Sequence, residues 1–452
     1  MHPTIARYAT QRVPRYTSYP PATAFGPTVD SERAAGWLRG LDPDAVLSLY
    51  LHVPFCRKVC WYCACNMKLA AREDPVRAYG AVLRREVALV AGHLPRRMSV
   101  ASVHWGGGTP HSMPLDALAA IWADLQAAFA LQPQAEVAFE IDPRTFTAEM
   151  APGIARLGAT RASLGVQEFD PQVQAAVNRI QPFDLVAATV GRLRAAGVRS
   201  INFDLMYGLP HQTTDSLART VAQAVSLAPD RIALFGYAHV PWMAKNQRML
   251  PEAALPGPDE RLAQAETAAG LLVRHGYARI GLDHFALPGD AMAAAASTGR
   301  LARNFQGYTV DPADALLGLG ATAISSLPQG YVQNITETGA HGRAVEAGRL
   351  PVARGYALAG EDRLRRAVIE RLMCALAVDL DTVAEAHGYP RGHFAPELER
   401  CRPLAAEGLV RIDGAGLTIP DEARAALRVV AARFDQHLAP AQEGERRHAA
   451  AV

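Results

Sequence analysis

The chain has 452 residues, half of them hydrophobic, with 46 basic and 44 acidic side chains. Because one hydrophobic core rarely exceeds roughly 250 to 300 residues, we expect a large domain and a smaller one. The net charge of +2 argues against a nucleic-acid partner, and the lack of a leader peptide or of an apolar run of about 18 residues argues against secretion and membrane spanning. Six cysteines, four of them within ten residues, fit a reducing cytoplasm better than a disulfide framework.

Residues 1–45 are predicted to form an N-terminal arm without a clear helical or strand period. The segment PRYTSYP, at residues 14–20, has two prolines and two tyrosines, which favours an extended, ordered chain over a helix. Two interpretations stay open for it. Its tyrosines pack on the body of the protein, or the arm lies over the functional site and offers Arg15 to an anionic substrate.

A cysteine-rich loop follows the first predicted strand. Cys56, Cys60 and Cys63 have the spacing Cys-x3-Cys-x2-Cys, and Cys65 stands two residues further on. Soft thiolate ligands select zinc, copper(I) or iron–sulfur clusters. Three ligands on one loop suit a [4Fe-4S] cluster with one iron left without a protein ligand, and the spacing differs from zinc ribbons and bacterial ferredoxins. The fourth cysteine keeps a structural zinc site as the alternative.

From residue 47 onward, short β-rich runs alternate with helical patterns. The predicted strands cover residues 47–53, 100–106, 136–142, 161–167, 200–208, 231–239 and 278–286. Predicted helices between them include residues 78–94, 115–128, 215–227 and 258–275. Such alternation indicates a parallel sheet, and this many repeats predicts a (β/α) barrel or part of one, with functional residues where the strands end.

Unusual residues fall at these predicted strand ends. Gly106, Gly107 and Gly108 follow the second strand and let a ligand approach the backbone, because glycine has no Cβ. Their pattern is neither a P-loop nor a dinucleotide-binding loop. The next four strands carry, at or near their ends, Glu140, Gln167, Asp204 and Ala238. Five histidines nearby are interpreted as packing residues: His52, His104, His211, His239 and His284.

The cysteine loop, with Tyr62 directly before Cys63, resembles the signature of the radical S-adenosylmethionine (SAM) enzymes. With further motifs along most of its length, the chain resembles the oxygen-independent coproporphyrinogen III oxidase family of haem biosynthesis. The arm, the fourth cysteine and RNFQGYT are the more specific features. The motifs are PRYTSYP (14–20), YLHVPFCRKVCWYCACN (50–66), HWGGGTP (104–110), FEIDPR (139–144), GVQEFD (165–170), FDLMYGLP (203–210), GYAHVPW (236–242), DHFALP (283–288), RNFQGYT (303–309) and LGLGATAIS (317–325).

The resemblance implies an α/β fold, a partial (β/α) barrel of the radical SAM type with an N-terminal arm and a smaller, mainly helical C-terminal domain. It implies a [4Fe-4S] cluster held by Cys56, Cys60 and Cys63, with Cys65 typical of the family but not a ligand. It also implies two SAM molecules per chain. The first would be lined by Tyr50, Gly107, Glu140 and Ile324. The second would be contacted by Tyr62, Gly108, Thr109, Gln167, Arg179, Asp204 and Ala238.

The implied activity is oxygen-independent oxidative decarboxylation of two propionate side chains of coproporphyrinogen III to vinyl groups, giving protoporphyrinogen IX. A 5′-deoxyadenosyl radical generated from SAM at the cluster would take the hydrogen atom, so no general base is required. Charge and position make Arg15 and Arg303 candidates for binding this tetra-anionic substrate. A low-potential electron donor and a monomer are also expected. The alternative is a haem-binding or trafficking relative without oxidase activity, and such relatives lack the PRYTSYP arm and the cysteine at position 65.

A shift of composition near residue 360 predicts a barrel with its extension at residues 46–359 and a helical C-terminal domain at residues 360–440. Its predicted elements are helices 361–377, 380–386, 396–407 and 420–437 and a hairpin around Asp413 and Gly414. A winged-helix nucleic-acid binder has similar elements, but the absence of a basic stripe favours a lid over the barrel mouth. Cys374 and Cys401 are predicted core residues, and residues 441–452 a disordered tail.

Overall fold

One twelve-stranded sheet runs through the larger part of the molecule. The computed structural model describes residues 5–9, 11–311 and 313–438, so the predicted tail lies outside the described residues. In chain order the strands of this sheet are β1 Val46–Val53, β2 Ser99–Gly107, β3 Ala130–Ile141, β4 Arg161–Gln167, β5 Ser200–Tyr207, β6 Arg231–Gly236, β7 Ala278–Ile280, β8 His284–Ala286, β9 Ala315–Leu319, β10 Ile324–Leu327, β11 Gly330–Asn334 and β12 Val352–Ala357.

The sheet order is β12-β11-β10-β9-β1-β2-β3-β4-β5-β6-β8-β7. The seven strands from β9 to β6 are parallel, and the strands added at both ends are antiparallel. Because the described order ends at β12 and β7, the barrel is open, which confirms the predicted partial (β/α) barrel. The carboxyl ends of β1 to β6 share one rim, where barrel enzymes carry their active sites.

Helices follow the parallel strands, as the alternation predicts. They are Asp74–Gly92, Leu115–Ala128, Met150–Arg156, Pro171–Ala176, Phe183–Ala195, Thr214–Ser226 and Pro258–Arg274. Local chemistry fixes where they start. The Thr213 hydroxyl, for example, accepts from the Ser216 N–H while the Ser216 hydroxyl accepts from the Thr213 N–H, which forms a capping box. Buried leucines and valines of these helices join the sheet residues in one apolar core.

The prediction of a single strand at residues 278–286 is wrong. The structure has an antiparallel hairpin there, with β7 and β8 on either side of a turn at residues 281–283. Gly281 has φ +53°, and the Tyr308 ring packs where a Cβ would lie, so glycine fits this turn. The apolar residues of this run indicate burial correctly, and Gly281 was the available signal for the turn.

The C-terminal region has the predicted helical character, but its last helix differs from the prediction. The turn-like helices Asp421–Ala426 and Ala432–Phe434 flank a short α-helix, Leu427–Ala431. Every residue of that short helix is buried, including Arg428, so packing on all sides rather than a one-sided period sets the backbone. The other elements lie within two residues of their predicted bounds: Asp362–Ala375, Leu380–Ala386, Ala395–Ala406, Arg411–Asp413 and Gly416–Thr418.

The arm contains a helix, Ser31–Arg39, that the sequence analysis does not predict. Its available signal is Asp30, whose carboxylate accepts from the Arg33 N–H at 2.9 Å as an N-cap. Within PRYTSYP there is no helix or strand, and Tyr16 and Tyr19 are only 4% and 1% exposed. Both tyrosines belong to the apolar cluster of the C-terminal helices, so the arm packs on that region.

Several further short elements belong to the described fold. They are the helices Ile5–Ala9, Ala291–Ser297 and Thr338–Glu346, the pair Ala302–Asn304 with Gly307–Thr309, and Ala377–Asp379 beside the C-terminal hairpin. Among the helices of the described residues, none is both long and apolar enough to cross a membrane.

Candidate functional site

The cysteine loop lies at the end of β1 on the carboxyl rim. Cys56 belongs to a short strand, Phe55–Cys56, that pairs with Lys68–Leu69 and closes the loop at its base. Asn246, in the segment after β6, holds the loop through one amide group. Its Nδ2 lies 3.1, 3.2 and 2.8 Å from the carbonyl oxygens of Cys60, Trp61 and Cys63. The loop backbone is therefore fixed by a distant part of the barrel.

Gln247 extends this connection along the rim. Its Nε2 donates to the carbonyl of Tyr62 at 2.8 Å and to the carbonyl of Ala238 at 3.1 Å. The same side chain accepts from the Val240 N–H at 2.6 Å. One buried amide thus joins the cysteine loop to the end of β6.

Polar and cationic donors surround the sulfur atoms. The distances are 3.5 Å from Thr109 Oγ1 to Cys56 Sγ, 3.4 Å from Cys65 N to Cys63 Sγ, 3.1 Å from Arg144 Nη2 to Cys60 Sγ and 3.2 Å from Arg179 Nη1 to Cys60 Sγ. Burial raises the pKa of Cys56 to about 11, whereas hydrogen bonding with Cys65 lowers the pKa of Cys63. Such donors stabilise thiolates, which are the form that binds metal.

Glycine is required where β2 ends, because a side chain there would collide with the cysteine loop or with His52. A Cβ on Gly108 would lie 3.0 Å from Cys56 Sγ and 2.9 Å from the Phe55 carbonyl oxygen. Gly107 has φ +115°, and a Cβ there would lie 2.8 Å from the His52 ring. Among the described residues, no group of three or more His, Cys, Asp or Glu side chains is arranged to hold one metal ion. In a [4Fe-4S] cluster each cysteine binds a different iron, so these residues fit that group.

The residues predicted for the first SAM meet beside the loop. Glu140 Oε2 accepts from the Gly107 N–H at 3.0 Å, and its Oε1 lies 3.1 Å from His104 Nε2. The Tyr50 ring stacks on His104 with a centroid distance of 5.7 Å. Tyr50 pairs in register with Gly318, and a Cβ on Gly318 would lie 2.7 Å from the Ile324 backbone. Tyr50, Gly107, Glu140 and Ile324 therefore form one neighbourhood, in which His104 positions Glu140 and Tyr50.

A second group of predicted residues surrounds Arg179. Its Nη1 reaches Cys60 Sγ, and its Nη2 donates to the Gly165 carbonyl and lies 3.4 Å from Asp142 Oδ1. A Cβ on Gly165 would lie 3.0 Å from both Arg179 Nη2 and Gln167 Nε2, so these two side chains are neighbours. Burial opposes ionisation of Asp142, yet Arg179 and Arg144 hold the pKa of that carboxyl well below its usual range.

Asp204 lies in β5, the strand between β4 and β6. Its carboxylate accepts from Ser163 Oγ at 3.2 Å and from Asn202 Nδ2 at 2.9 Å. Burial, and then the nearby charge of Glu140, raises the pKa of Asp204 to about 6. The group therefore changes charge closer to neutral pH than an exposed aspartate does.

A cavity of about 260 Å³ opens beside the ends of β5 and β6. Its walls come from the barrel, the N-terminal arm and the C-terminal region, and the predicted residues Arg15, Ala238 and Arg303 all line it. Arg261 and Arg428 line it as well. The structure thus brings the two predicted substrate arginines together and adds two that the sequence analysis missed.

Several other functional candidates were also missed. Asp142 and Arg144 lie in the FEIDPR motif, and their adjacency to Glu140 was the available signal. Asn246 and Gln247 follow the GYAHVPW motif, but no local pattern shows that their amides reach the cysteine loop. For Arg428 the sequence holds no signal, because only the tertiary fold brings the last helix to the barrel.

Comparison with known proteins covers the same regions. A family model described as the Radical SAM superfamily matches residues 50–224, and one described as the HemN C-terminal domain matches residues 358–425. An oxygen-independent coproporphyrinogen III oxidase of Bradyrhizobium diazoefficiens is 49% identical over 98% of each chain. One of Paracoccus denitrificans is 44% identical over 94% of each chain. The solved structure of the Escherichia coli coproporphyrinogen III oxidase, a radical SAM enzyme, is 34% identical with a TM-score of 0.89, over 95% of this chain and 100% of that one.

These similarities extend over the arm, the barrel and the C-terminal region alike. They agree with the open barrel and with the cysteine loop on its rim. The chain belongs to the oxygen-independent coproporphyrinogen III oxidase family of the radical SAM superfamily.

Proposed function

We propose that this protein is an oxidoreductase that converts two propionate side chains of coproporphyrinogen III to vinyl groups without oxygen, giving protoporphyrinogen IX. The proposal depends on one observation: the cysteine loop and the arginine-lined cavity lie on the same rim. Gln247 connects them, because it donates to Tyr62 of the loop and to Ala238 of the cavity wall. The PRYTSYP arm and Cys65 are both present, which weighs against a haem-trafficking protein.

Cys56, Cys60 and Cys63 would hold a [4Fe-4S] cluster, with Cys65 outside the ligand set. When bound, the cluster and SAM supply the one-electron chemistry that removes a hydrogen atom from a propionate. The chain contributes charge and position. Arg144 and Arg179 direct positive charge at Cys60, and the Thr109 hydroxyl donates to Cys56, which favours the deprotonated sulfur that a cluster needs.

For SAM, the neighbourhood of Tyr50, Gly107, Glu140 and Ile324 offers a carboxylate for the amino group and an aromatic face. A second SAM per chain stays part of the proposal. Its contacts would be Tyr62, Gly108, Thr109, Gln167, Arg179, Asp204 and Ala238. Since Ala238 also lines the arginine cavity, a second SAM and the substrate would be neighbours.

Each reacting propionate loses CO2, one hydrogen atom from its β-carbon and one electron, which passes to an electron acceptor from outside the chain, and a vinyl group is left. Because a hydrogen atom leaves rather than a proton, no side chain has to act as a base. The protein has to hold a tetra-anion, and Arg15 and Arg303 are the proposed contacts. Arg303 lies 4.4 Å from the Tyr308 ring centroid and donates to the Tyr16 carbonyl at 3.2 Å, which fixes it at the cavity wall.

The remaining parts of the proposal concern the setting. The electron that reduces the cluster comes from an unidentified low-potential donor, and the enzyme works as a monomer in the cytoplasm. We place the domain boundaries at residues 45/46 and 359/360.

The test is an anaerobic assay of the iron-loaded chain with SAM, a low-potential reductant and coproporphyrinogen III. Protoporphyrin, read after oxidation of the product, and 5′-deoxyadenosine are expected together. 5′-Deoxyadenosine without protoporphyrin would point to another substrate or to the haem-binding alternative. The absence of both products from a fully loaded sample would overturn the proposal.

A further inference from the structure

The cysteine loop is held between two segments that are distant from it in sequence. On one side, the Trp61 N–H donates to the Val177 carbonyl at 3.0 Å, and Asn178 Nδ2 donates to the Val59 carbonyl at 2.8 Å. On the other side, the Asn246 amide donates to three carbonyls of the loop. These contacts place three stretches of the chain side by side at the rim. We call their exposed surface the loop face: residues 56–66, 171–182 and 240–250.

The loop face has positive charge and no acidic residue of its own. Its three stretches contain two lysines, three arginines and no aspartate or glutamate, although the whole chain has 46 basic and 44 acidic side chains. The cations are Lys58, Lys245, Arg57, Arg179 and Arg248. Two carboxylates border the stretches and lie near other groups: Asp170 is 3.5 Å from Arg219, and Glu252 is 3.7 Å from His239. An acidic partner is therefore attracted to this face.

The lysines of the chain are concentrated at the same place. There are only three, and each belongs to the loop, to the strand that closes it or to a segment that contacts it. Lys58 and Lys245 are exposed, whereas Lys68, in the closing strand, pairs with Glu337 at 2.9 Å. A lysine ammonium is a compact, strongly hydrated charge on a flexible stem, so it suits a contact that forms and breaks quickly.

Exposed apolar side chains have a similar distribution. Among the described residues, six large hydrophobic side chains are exposed, and all but Val273 belong to the closing strand or to the two segments beside the loop. Met243 is 73% exposed and Met249 is 61% exposed. The others are Leu69, Ile180 and Trp242. Single apolar residues at a surface are normal, but a group of them bordered by charges is typical of an interaction site, and methionine adapts to its partner.

The proposed reaction requires an electron from outside the chain. The electron enters at the cluster that the loop would hold, and transfer between two redox groups is fastest where the least protein separates them. The loop face covers the cysteines directly, since Asn246 donates to the carbonyls of Cys60 and Cys63. The residues that line the arginine cavity lie outside its three stretches, so an electron donor and the substrate can be bound together.

Resting on the proposed function, we propose that the loop face is the docking site of the electron donor and that the donor is a small, acidic one-electron carrier protein. Carboxylates of the carrier pair with Lys58, Lys245 and Arg248, and its redox group lies against Met243 and Met249. The carrier is oxidised by one electron, and the cluster is reduced by that electron. Electron-transfer contacts of this kind bury less than about 1,200 Å², so a small surface suffices.

The first test is carbodiimide crosslinking of the full chain to a flavodoxin, a small acidic protein whose flavin carries one electron at low potential. Carbodiimide joins lysine amines to carboxylates, so only three lysine side chains of this chain can react. Peptide mapping by mass spectrometry should find the carrier attached to Lys58 or Lys245. Attachment to Lys68 alone, or no attachment to any lysine, would overturn the inference.

The second test compares two reductants by following 5′-deoxyadenosine formation in the iron-loaded chain with SAM. The double variant Lys58→Glu with Lys245→Glu should raise the KM for reduced flavodoxin by about tenfold or more, because like charges then meet at the interface. The rate with reduced methyl viologen, a small cation that needs no docking site, should stay unchanged. Arg402→Glu with Arg411→Glu, at two exposed arginines of the C-terminal region, is the matched control and should leave both rates unchanged.

The apolar part of the loop face is tested in the same assay. Met249→Ser should raise the KM for flavodoxin by about threefold or more, because a methionine side chain contributes to binding when it is buried. Val273→Ser, at the exposed apolar residue outside the loop face, should not.

An unchanged KM in the lysine variant would overturn the inference. An equal loss of rate with both reductants would overturn it as well, since the substitutions would then act on the cluster site itself. Crosslinking needs no turnover, so it decides the docking site even if the chain forms no protoporphyrin and the proposed function fails.

Discussion

Two sets of arginines lie on the same rim of the barrel, and their surroundings differ. Arg144 and Arg179 flank Asp142, at 2.7 and 3.4 Å, and both reach Cys60 Sγ. The cavity arginines donate to neutral carbonyls instead. The pKa values follow: burial opposes the charge on Arg179, yet Tyr62, Asp142 and Cys60 raise its pKa, whereas burial lowers the pKa of Arg261 and Arg428.

The difference separates arginines that pair with the carboxylate of Asp142 from cavity arginines that donate to backbone carbonyls. The first set is complete as folded and positions the cysteine loop. In the second set, Arg261 donates to the Tyr237 carbonyl and burial lowers its pKa, so its charge becomes more favourable when an anionic ligand binds nearby. Substitutions in the two sets should therefore change different quantities, stability in one and ligand binding in the other.

The largest expected effect comes from removing the sulfur between Arg144 and Arg179. Cys60→Ala should abolish bound iron and lower activity by more than about 100-fold, beyond the range for residues that only support a metal ligand. Iron and sulfide analysis, together with the anaerobic assay, measures this. Cys65→Ala is the control and should keep its iron. Equal loss of iron in both variants would instead indicate a four-cysteine site.

Breaking the buried ion pair should act on stability. Arg179→Gln leaves Asp142 with Arg144 alone and should lower the free energy of unfolding by about 3 kcal/mol, measured by urea denaturation of the iron-free chain. Arg219 pairs with Asp170 at 3.5 Å with 67% of its side chain exposed, so Arg219→Gln should cost less than about 1 kcal/mol. Arg261→Gln should also have little effect on stability. A loss in Arg261→Gln as large as in Arg179→Gln would remove the distinction between the two sets.

Asp204, between the two sets, should make stability depend on pH. Its folded-state pKa of about 6 lies above the usual 3.8, so between these values the folded chain binds more protons than the unfolded chain. Stability therefore falls as pH rises through this range, by on the order of 3 kcal/mol. Asp204→Asn should flatten this part of the profile in chemical denaturation of the iron-free chain. The exposed Asp259→Asn should leave the slope as it is, and an unchanged slope in Asp204→Asn would contradict the assignment.

The smallest effect is expected at the exposed member of the cavity set. Arg15→Ala should raise KM by about threefold to tenfold with little change in kcat, because an exposed charge is screened and contributes modestly. The effect should shrink as salt is added. A fall in kcat at constant KM would show that Arg15 acts on the chemical step and not on binding.

Much of this arrangement was predictable from sequence where the signal is local. The three cysteines, the triple glycine and the strand–helix alternation lie in continuous segments, and the motif order places Tyr50, Glu140 and Asp204 on alternate strands of the sheet, β1, β3 and β5. The sequence contains no signal for features that are set by contacts between distant residues. The turn at Gly281 depends on Tyr308, which is distant in sequence. The hydrogen bonds from the Asn246 side-chain amide to the cysteine loop span 183 residues or more. Arg428 is a further example, since from sequence alone an arginine is expected at the surface, whereas Arg428 is buried.

The cavity wall combines residues from the N-terminal arm, which is synthesised first, with residues from the C-terminal region, which is synthesised last. Arg428 donates to the Val13 carbonyl across 415 residues of sequence. The cysteine loop and its supports, from Cys56 to Gln247, precede that contact along the chain. During translation the loop can therefore be supported well before the cavity closes, because such distant contacts form only after a long loop has been ordered. Cluster loading can then precede substrate capture in the life of each molecule.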